Sequence, residues 1–471
     1  MSDIAPIASS GMKNSQRITT GYARYVFWVM FLISFLNYLD RNVLTGAANV
    51  VAKELGFNLD GIGYIATAFL IVYTLGTIPL GIWADRAKRK DVVAISVLFW
   101  SVITVATALA TNFTTLFLSR MALGIGEAGY FPAGTALMSD YFCREKRSRI
   151  MSWWSVAQLF GILFGFIIGG AVAGLYPGSW RLAFLFTGIP GLLLVFLVWR
   201  IREPRRNQAD EEELPNYEAH MATQEARGAD HSTSPSSSIF AQFGALLRIK
   251  TLVVLIVIQI FAFFVLTVNV VFLPTYLQQK DTFGFTSSQA GLFSGAVVVL
   301  AGMAGTVLGG YMADWLNKHH AGSRILVCWI GFLLSAPAFA AAVTFHNILV
   351  FTVFFVISTI LITLYTGPST AATQDVVPAS LRASAVAVSL LFAHLLGDAF
   401  SPTLVGTLAT NLDPTHGRHF VLGMAGQDLS TALLLTCTPA LIVAGLVGLF
   451  GARWMQGDIA AAEEADRVAR G

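Results

Sequence analysis

Charge is scarce in this chain: Asp, Glu, Lys and Arg make up 12% of its 471 residues, against 55% hydrophobic residues and a mean hydropathy of +0.67. Soluble domains carry about 25% charged residues, so an ordinary water-soluble globule is excluded. Cysteine is scarcer still. Cys143, Cys328 and Cys437 lie far apart, which excludes a disulfide framework and a cysteine-based metal cluster. There is no H-E-x-x-H motif and no nucleophile–base pair, so neither metal, cofactor nor enzymatic activity is expected. The net charge of +3 comes without the basic–aromatic surface that nucleic acids require, and no nucleic acid partner is expected.

What is present is a series of long apolar runs, each able to cross about 30 Å of hydrocarbon as a helix. Twelve are predicted, over 25–50, 61–83, 91–111, 113–140, 149–174, 181–200, 250–277, 287–313, 324–343, 346–371, 383–409 and 430–455. Their layout predicts an all-α membrane protein of twelve transmembrane helices in two six-helix, pseudo-symmetric halves. The divisions are a segment 1–24, a bundle 25–200, a linker 201–249, a bundle 250–455 and a tail 456–471. The linker is polar and turn-rich until "SIFAQFGALLR" (238–248), whose apolar residues share one helical face after Ser238, as in a helix lying on the bilayer surface. The first apolar run is too long for a signal-peptide core and is read as an uncleaved span.

Basic residues orient the chain. "DRAKRKD" (85–91), "CREKRSR" (143–149), the linker and both termini fall on one side if the N-terminus is cytoplasmic, while the other side receives isolated residues such as Lys53, Lys280 and Arg418. By the positive-inside bias, both termini are expected in the cytoplasm and the chain in the cell (inner or plasma) membrane.

The halves carry a repeat. "GTIPLGIWADR" (76–86) aligns with "GTVLGGYMADW" (305–315), and the Asp140/Arg147 pair recurs 235 positions later as Asp375/Arg382. A duplicated six-span unit explains both. Asp85, Arg86, Arg89 and Asp314 then fall at matching helix ends, where a carboxylate can hold the N-terminus of a neighbouring helix and clasp one arrangement of the halves. Basic anchoring alone also accounts for the arginines. Glycines at 161, 165 and 169, at 291 and 295, and at 305 and 309 recur every four residues. They are expected to form close helix contacts suited to a sliding seam between halves.

"RMALGIGEAGYFPAGTAL" (120–137) holds a G-x-G-x-x-G, but apolar residues enclose it within one membrane span, so a dinucleotide turn is rejected. Its charges carry more meaning. Arg120 and Glu127 are seven apart and share a helical face, and span 1 adds Asp40 and Arg41 beside Asn37. At about 1.5 Å per residue, Asp40 and Glu127 lie roughly 22 Å and 20 Å from their cytoplasmic helix ends. Charges at that depth are costly towards lipid, so all four are expected to face one interior cavity. A static ion-pair network is the plain reading. The functional one is that Asp40 and Glu127 exchange protons as water access and pairing with Arg41 or Arg120 change, leaving an arginine free for an anionic substrate group. His394 and Asp398, one turn apart and followed by Pro402, mark a possible broken helix on the second half of the cavity.

With "GIWADRAKRK" after span 2 and "RMALGIGEAG" in span 4, the chain resembles a major facilitator superfamily transporter. "NYLDR", "GIGEAGYFPA", "CREKRSRIMS", "WRLAFLFTGIPGLLL" with "REP", and "VVPASLRASAVAVSLLFAHLLGDAFSPTLVG" resemble the Spinster branch within it. The resemblance implies the major facilitator fold, alternating access, lysophospholipid or sphingolipid-like substrates and proton coupling. Asp40 and Glu127 would be the coupling carboxylates, with Arg41 and Arg120 as their partners. The partners expected are a small amphipathic or anionic substrate, protons and the bilayer, with the monomer as the functional unit. The anion:cation symporter branch, which moves sugar acids, shares "NYLDR" and "GEAxxFP" and is the alternative. A non-transporting membrane sensor is a third. The second-half loop reads "ADWLNKHH", short of the full basic pattern.

Overall fold

The computed structural model describes residues 18–206, 208–209, 244, 246–279, 282–317, 324–378, 381–412 and 428–470. The first half comprises α1 (Thr20–Leu55), α2 (Leu59–Arg86), α3 (Arg89–Thr107), α4 (Phe113–Ala128), α5 (Tyr130–Tyr141), α6 (Arg144–Ala173) and α7 (Trp180–Trp199). The second comprises α8 (Lys250–Gln278), α9 (Ser287–Asn317), α10 (Arg324–Thr344), α11 (Ile348–Thr363), α12 (Thr366–Asp375), α13 (Arg382–Phe392), a π turn (Ala393–Asp398), α14 (Ser401–Leu412) and α15 (Asp428–Arg470).

Helix ends follow local chemistry. The Thr19 hydroxyl accepts the Tyr22 N–H to start α1, and Asn112 with Thr115 closes a capping box on α4. Gly56, at φ 73°, ends α1 in the left-handed region that glycine enters without cost.

Among the described residues, eleven helical stretches are long and apolar enough to cross a membrane. The twelfth expected span, 113–140, is divided into α4 and α5, neither of which reaches spanning length alone. Proline causes the division. Pro132 has no N–H for the Ala128 carbonyl, and the α-helix is interrupted there. The fourth span of the second half breaks alike between α11 and α12, where Pro368 leaves Leu364 without its bond. Pro402 frees the Asp398 carbonyl in the same way, and the Ser401 hydroxyl donates to that carbonyl at 3.1 Å. The chain passes this point as the π turn, with the Ala399 N–H bonded to the His394 carbonyl.

Each half has its own apolar core, one around Trp100, Tyr130 and Trp180, the other around Phe272, Phe332 and Phe339. Large apolar side chains such as Leu109, Phe186 and Leu349 stay exposed on the outside, as a lipid-facing surface requires. The halves meet through α6 with α9, α2 with α14, and α1 with α8 and α9.

These contacts lie at the ends remote from the termini and linker. A Cβ on Gly170 would strike the main chain of Ser287 and Gly291, and one on Gly63 the carbonyl of Pro402. The Thr403 hydroxyl donates to Thr67 Oγ1 at 2.8 Å, and the Asp60 N–H to Thr410 Oγ1 at 3.3 Å. The halves are thus sealed on this far side.

The glycine rows only partly match the expected seam. Gly161, Gly165 and Gly169 face the main chain of α1 at Phe35, Leu39 and Val43, inside the first half, and Gly305 and Gly309 face α11 and its end inside the second. Gly291 and Gly295 alone among them meet the opposite half, against Phe166 and Leu163. The stretch 456–471, read as a tail, continues α15 to Arg470 as helix. There Asp458 accepts the Thr251 N–H at 2.8 Å and ties α15 to the start of α8. Most of the expected surface helix over 238–248 and the loop 413–427 lie outside the described residues.

Candidate functional site

The centre of the molecule is a cavity of about 310 Å³ between the halves. The first half contributes Tyr38, Arg41, Phe69 and Arg120, and the second Phe263, Leu266, Val270 and Asp398. Most of the wall is apolar, and its ionisable side chains are Tyr38, Arg41, Arg120 and Asp398.

The four expected charges separate into three environments. Arg41 Nε donates to Glu127 Oε2 at 2.5 Å, joining α1 to α4 with the carboxylate fully buried. Arg120 is 4% exposed, lies 4.8 Å over the Phe184 ring, and has no hydrogen-bond partner at Nε or Nη2 among the described residues. A guanidinium at a cavity wall with two unbonded donors is an anion receptor, with the Asp40 and Glu127 carboxylates as the charges nearest to compete for it.

Asp40 is placed differently from expectation. Neither it nor Glu127 lines the cavity, and Asp40 turns towards α3, where the Thr104 hydroxyl donates to Oδ2 at 3.3 Å, with Thr187 of α7 alongside. Adjacent residues on a helix point about 100° apart, so Asp40 and Arg41 cannot share a direction. Arg120 and Glu127, seven apart, do lie on one face.

In the second half, His394 Nδ1 and Asp398 Oδ2 are 2.8 Å apart, and the Phe263 ring packs edge-on against His394. The π turn presents Asp398 to the cavity opposite Arg41.

At the helix ends expected to form a clasp, the ion pairs seen lie within each half. Arg89 pairs with Asp140 inside the first half, also donating to the Ala136 carbonyl at 3.2 Å. Arg324 pairs with Asp375 in the second half. Arg147 and Arg382 reach the carbonyls of Ser139 and Gln374. The two clusters match at 235 positions, and Arg324, which motif reading passed over, follows from applying that period to Arg89. Arg86 and Asp314 are exposed, and the Asp85 side chain lies outside those described. Glu203 was also unforeseen. Its carboxylate accepts the N–H groups of Arg89 and Lys90 at 2.7 Å and 3.0 Å and caps α3.

Two helical halves around a membrane-embedded, charge-bearing cavity define a membrane transporter. The chain belongs to the Major Facilitator Superfamily, whose profile matches residues 30–402. Among its relatives, Protein spinster homolog 1 of Xenopus tropicalis is 25% identical over 90% of this chain and 78% of its own length. The protein named "Probable L-galactonate transporter" of Escherichia coli strain K12 is 26% identical over 84% and 85%. A bacterial homologue of the human lysosomal transporter Spinster, solved in an inward-facing and occupied conformation, superposes with a TM-score of 0.75 at 23% identity, covering 93% of this chain and 97% of that one. Relatives and fold are those of transporters and not of enzymes.

Proposed function

We propose that the protein is a proton-coupled, alternating-access carrier of an amphipathic substrate with an anionic or zwitterionic head, such as a lysophospholipid or sphingolipid-like molecule. The observation that carries this reading is the Arg120 guanidinium, whose Nε and Nη2 have no hydrogen-bond partner among the described residues, in a mostly apolar wall. The head group bonds Arg120 and the tail lies along Phe69, Leu266 and Val270. Arg41 joins the head group when protonation of Glu127 releases it, and Asp40 is the second proton-exchanging carboxylate. The far-side seal leaves the linker side as the route to the cavity. With the linker and termini in the cytoplasm by their basic residues, that route leads to the cytoplasm and the membrane is the cell membrane. The monomer contains the whole cavity and is the functional unit.

The L-galactonate transporter among the relatives makes sugar acids the second substrate class, since two arginines suit a carboxylate equally. Uptake by reconstituted protein in proteoliposomes under an imposed pH gradient separates them. Accumulation of lysophosphatidylglycerol without galactonate supports the amphiphile. Galactonate alone moves the assignment to sugar acids, and movement of neither contradicts both.

A further inference from the structure

The Arg41 guanidinium is enclosed by more than its carboxylate. Its carbon lies 4.2 Å from the ring centroid of Tyr73, 5.1 Å from Tyr38 and 5.2 Å from Phe69. Tyr38 stands one turn before Arg41 on α1, while Phe69 and Tyr73 stand one turn apart on α2 with rings stacked at 5.9 Å and 18°. Three aromatic walls and one carboxylate thus surround a single cation at the cavity edge. Ion pairing with Glu127 needs only one good geometry and explains none of these rings.

We infer that Tyr73, with Tyr38 and Phe69, is a positioning cage that keeps the Arg41 charge at the cavity wall when Glu127 is neutral. A ring face attracts a cation and repels a carboxylate, so the cage favours Arg41 standing alone over Arg41 bound to an ionised Glu127. Without it, a released guanidinium in this apolar wall returns to the carboxylate or swings towards Asp398 across the cavity. The charged and titratable groups around the pair are Tyr38 and Asp40 on α1, Tyr73 on α2, Arg120 on α4, and Asp398 with its partner His394 on the π turn. Of these, Tyr73 is the one whose ring lies nearest the guanidinium.

This inference rests on the proposed proton-responsive role of the Arg41–Glu127 pair. Its test is uptake of lysophosphatidylglycerol by wild type, Tyr73→Leu and Tyr73→Phe across a pH series in proteoliposomes. Tyr73→Leu is expected to raise KM about tenfold and to move the half-maximal pH down by about one unit, with maximal rate retained, because Glu127 becomes harder to neutralise. Tyr73→Phe, which keeps the ring, restores both values. If Tyr73→Leu fails to fold, Tyr73→Met, which also removes the ring at a position that does not line the cavity, is read in the same way. An unchanged KM and midpoint in the leucine variant, or a lost maximal rate alone, overturns the cage while leaving the carrier reading intact. A wild type indifferent to pH overturns the proton-responsive pair, and the cage with it, in the wild-type arm alone.

Discussion

Gly170 and Gly291 meet across the boundary of the two halves so closely that a Cβ on either would strike the other helix. Close main-chain approach at this point, together with the Thr67–Thr403 hydrogen bond, shuts the far side. The same surfaces must part if the cavity is ever to face that way.

Gly170→Val or Gly291→Val should therefore weaken the seal. Overpacking costs about 1–3 kcal/mol, a roughly 5- to 150-fold shift in population towards a far-side-open form. A cysteine at Thr267, on the cavity wall, should then react faster with a membrane-impermeant maleimide added from the far side. Unchanged labelling would argue that α6 and α9 do not separate.

Arg120→Ala should raise the substrate KM by about tenfold to a hundredfold, the value of a charge-assisted hydrogen bond in a dry site. Among the described residues no side chain accepts from Nε or Nη2, so the loss of stability should be confined to the contact with the Phe184 ring and the charge beside Asp40 and Glu127. KM from uptake kinetics, read beside a thermal melt, checks this. A large loss of melting temperature with unaltered KM would make Arg120 structural.

The paired clusters on the linker side predict an asymmetry. The Asp140 side chain is 3% exposed against 33% for Asp375. Asp140→Asn strands a nearly buried arginine at a cost of about 3 kcal/mol, whereas the wetter Asp375→Asn costs about 1 kcal/mol or less. Thermal unfolding in detergent should show the first variant melting clearly lower, and equal melting temperatures would refute the ranking.

Much of this arrangement was legible in the chain itself. Apolar runs gave the spans, and the Asp140/Arg147 repeat gave the duplication that the structure displays as two matching arginine–aspartate clusters. The seven-residue spacing of Arg120 and Glu127 gave their common face. Depth along a helix is readable from residue counts, but direction around it depends on which neighbour packs where. That is why Asp40, expected to face the cavity, turns to Thr104 instead, and why Gly161, Gly165 and Gly169 serve α1 instead of the seam. The break after Ala128 was written in Pro132, yet hydropathy counted across it. The cage around Arg41 joins residues of two helices, and no spacing within one helix could signal it.

In the proposed coupling, a proton on Glu127 drives movement of substrate held at Arg41 and Arg120. Comparing gradient-driven accumulation with substrate counterflow in proteoliposomes of wild type and Glu127→Gln tests it directly, because counterflow needs the cavity to alternate without net proton transfer. Glu127→Gln should keep counterflow and lose accumulation under the pH gradient. Accumulation equal to wild type would contradict it and leave the Arg41–Glu127 bond as a fastening between α1 and α4.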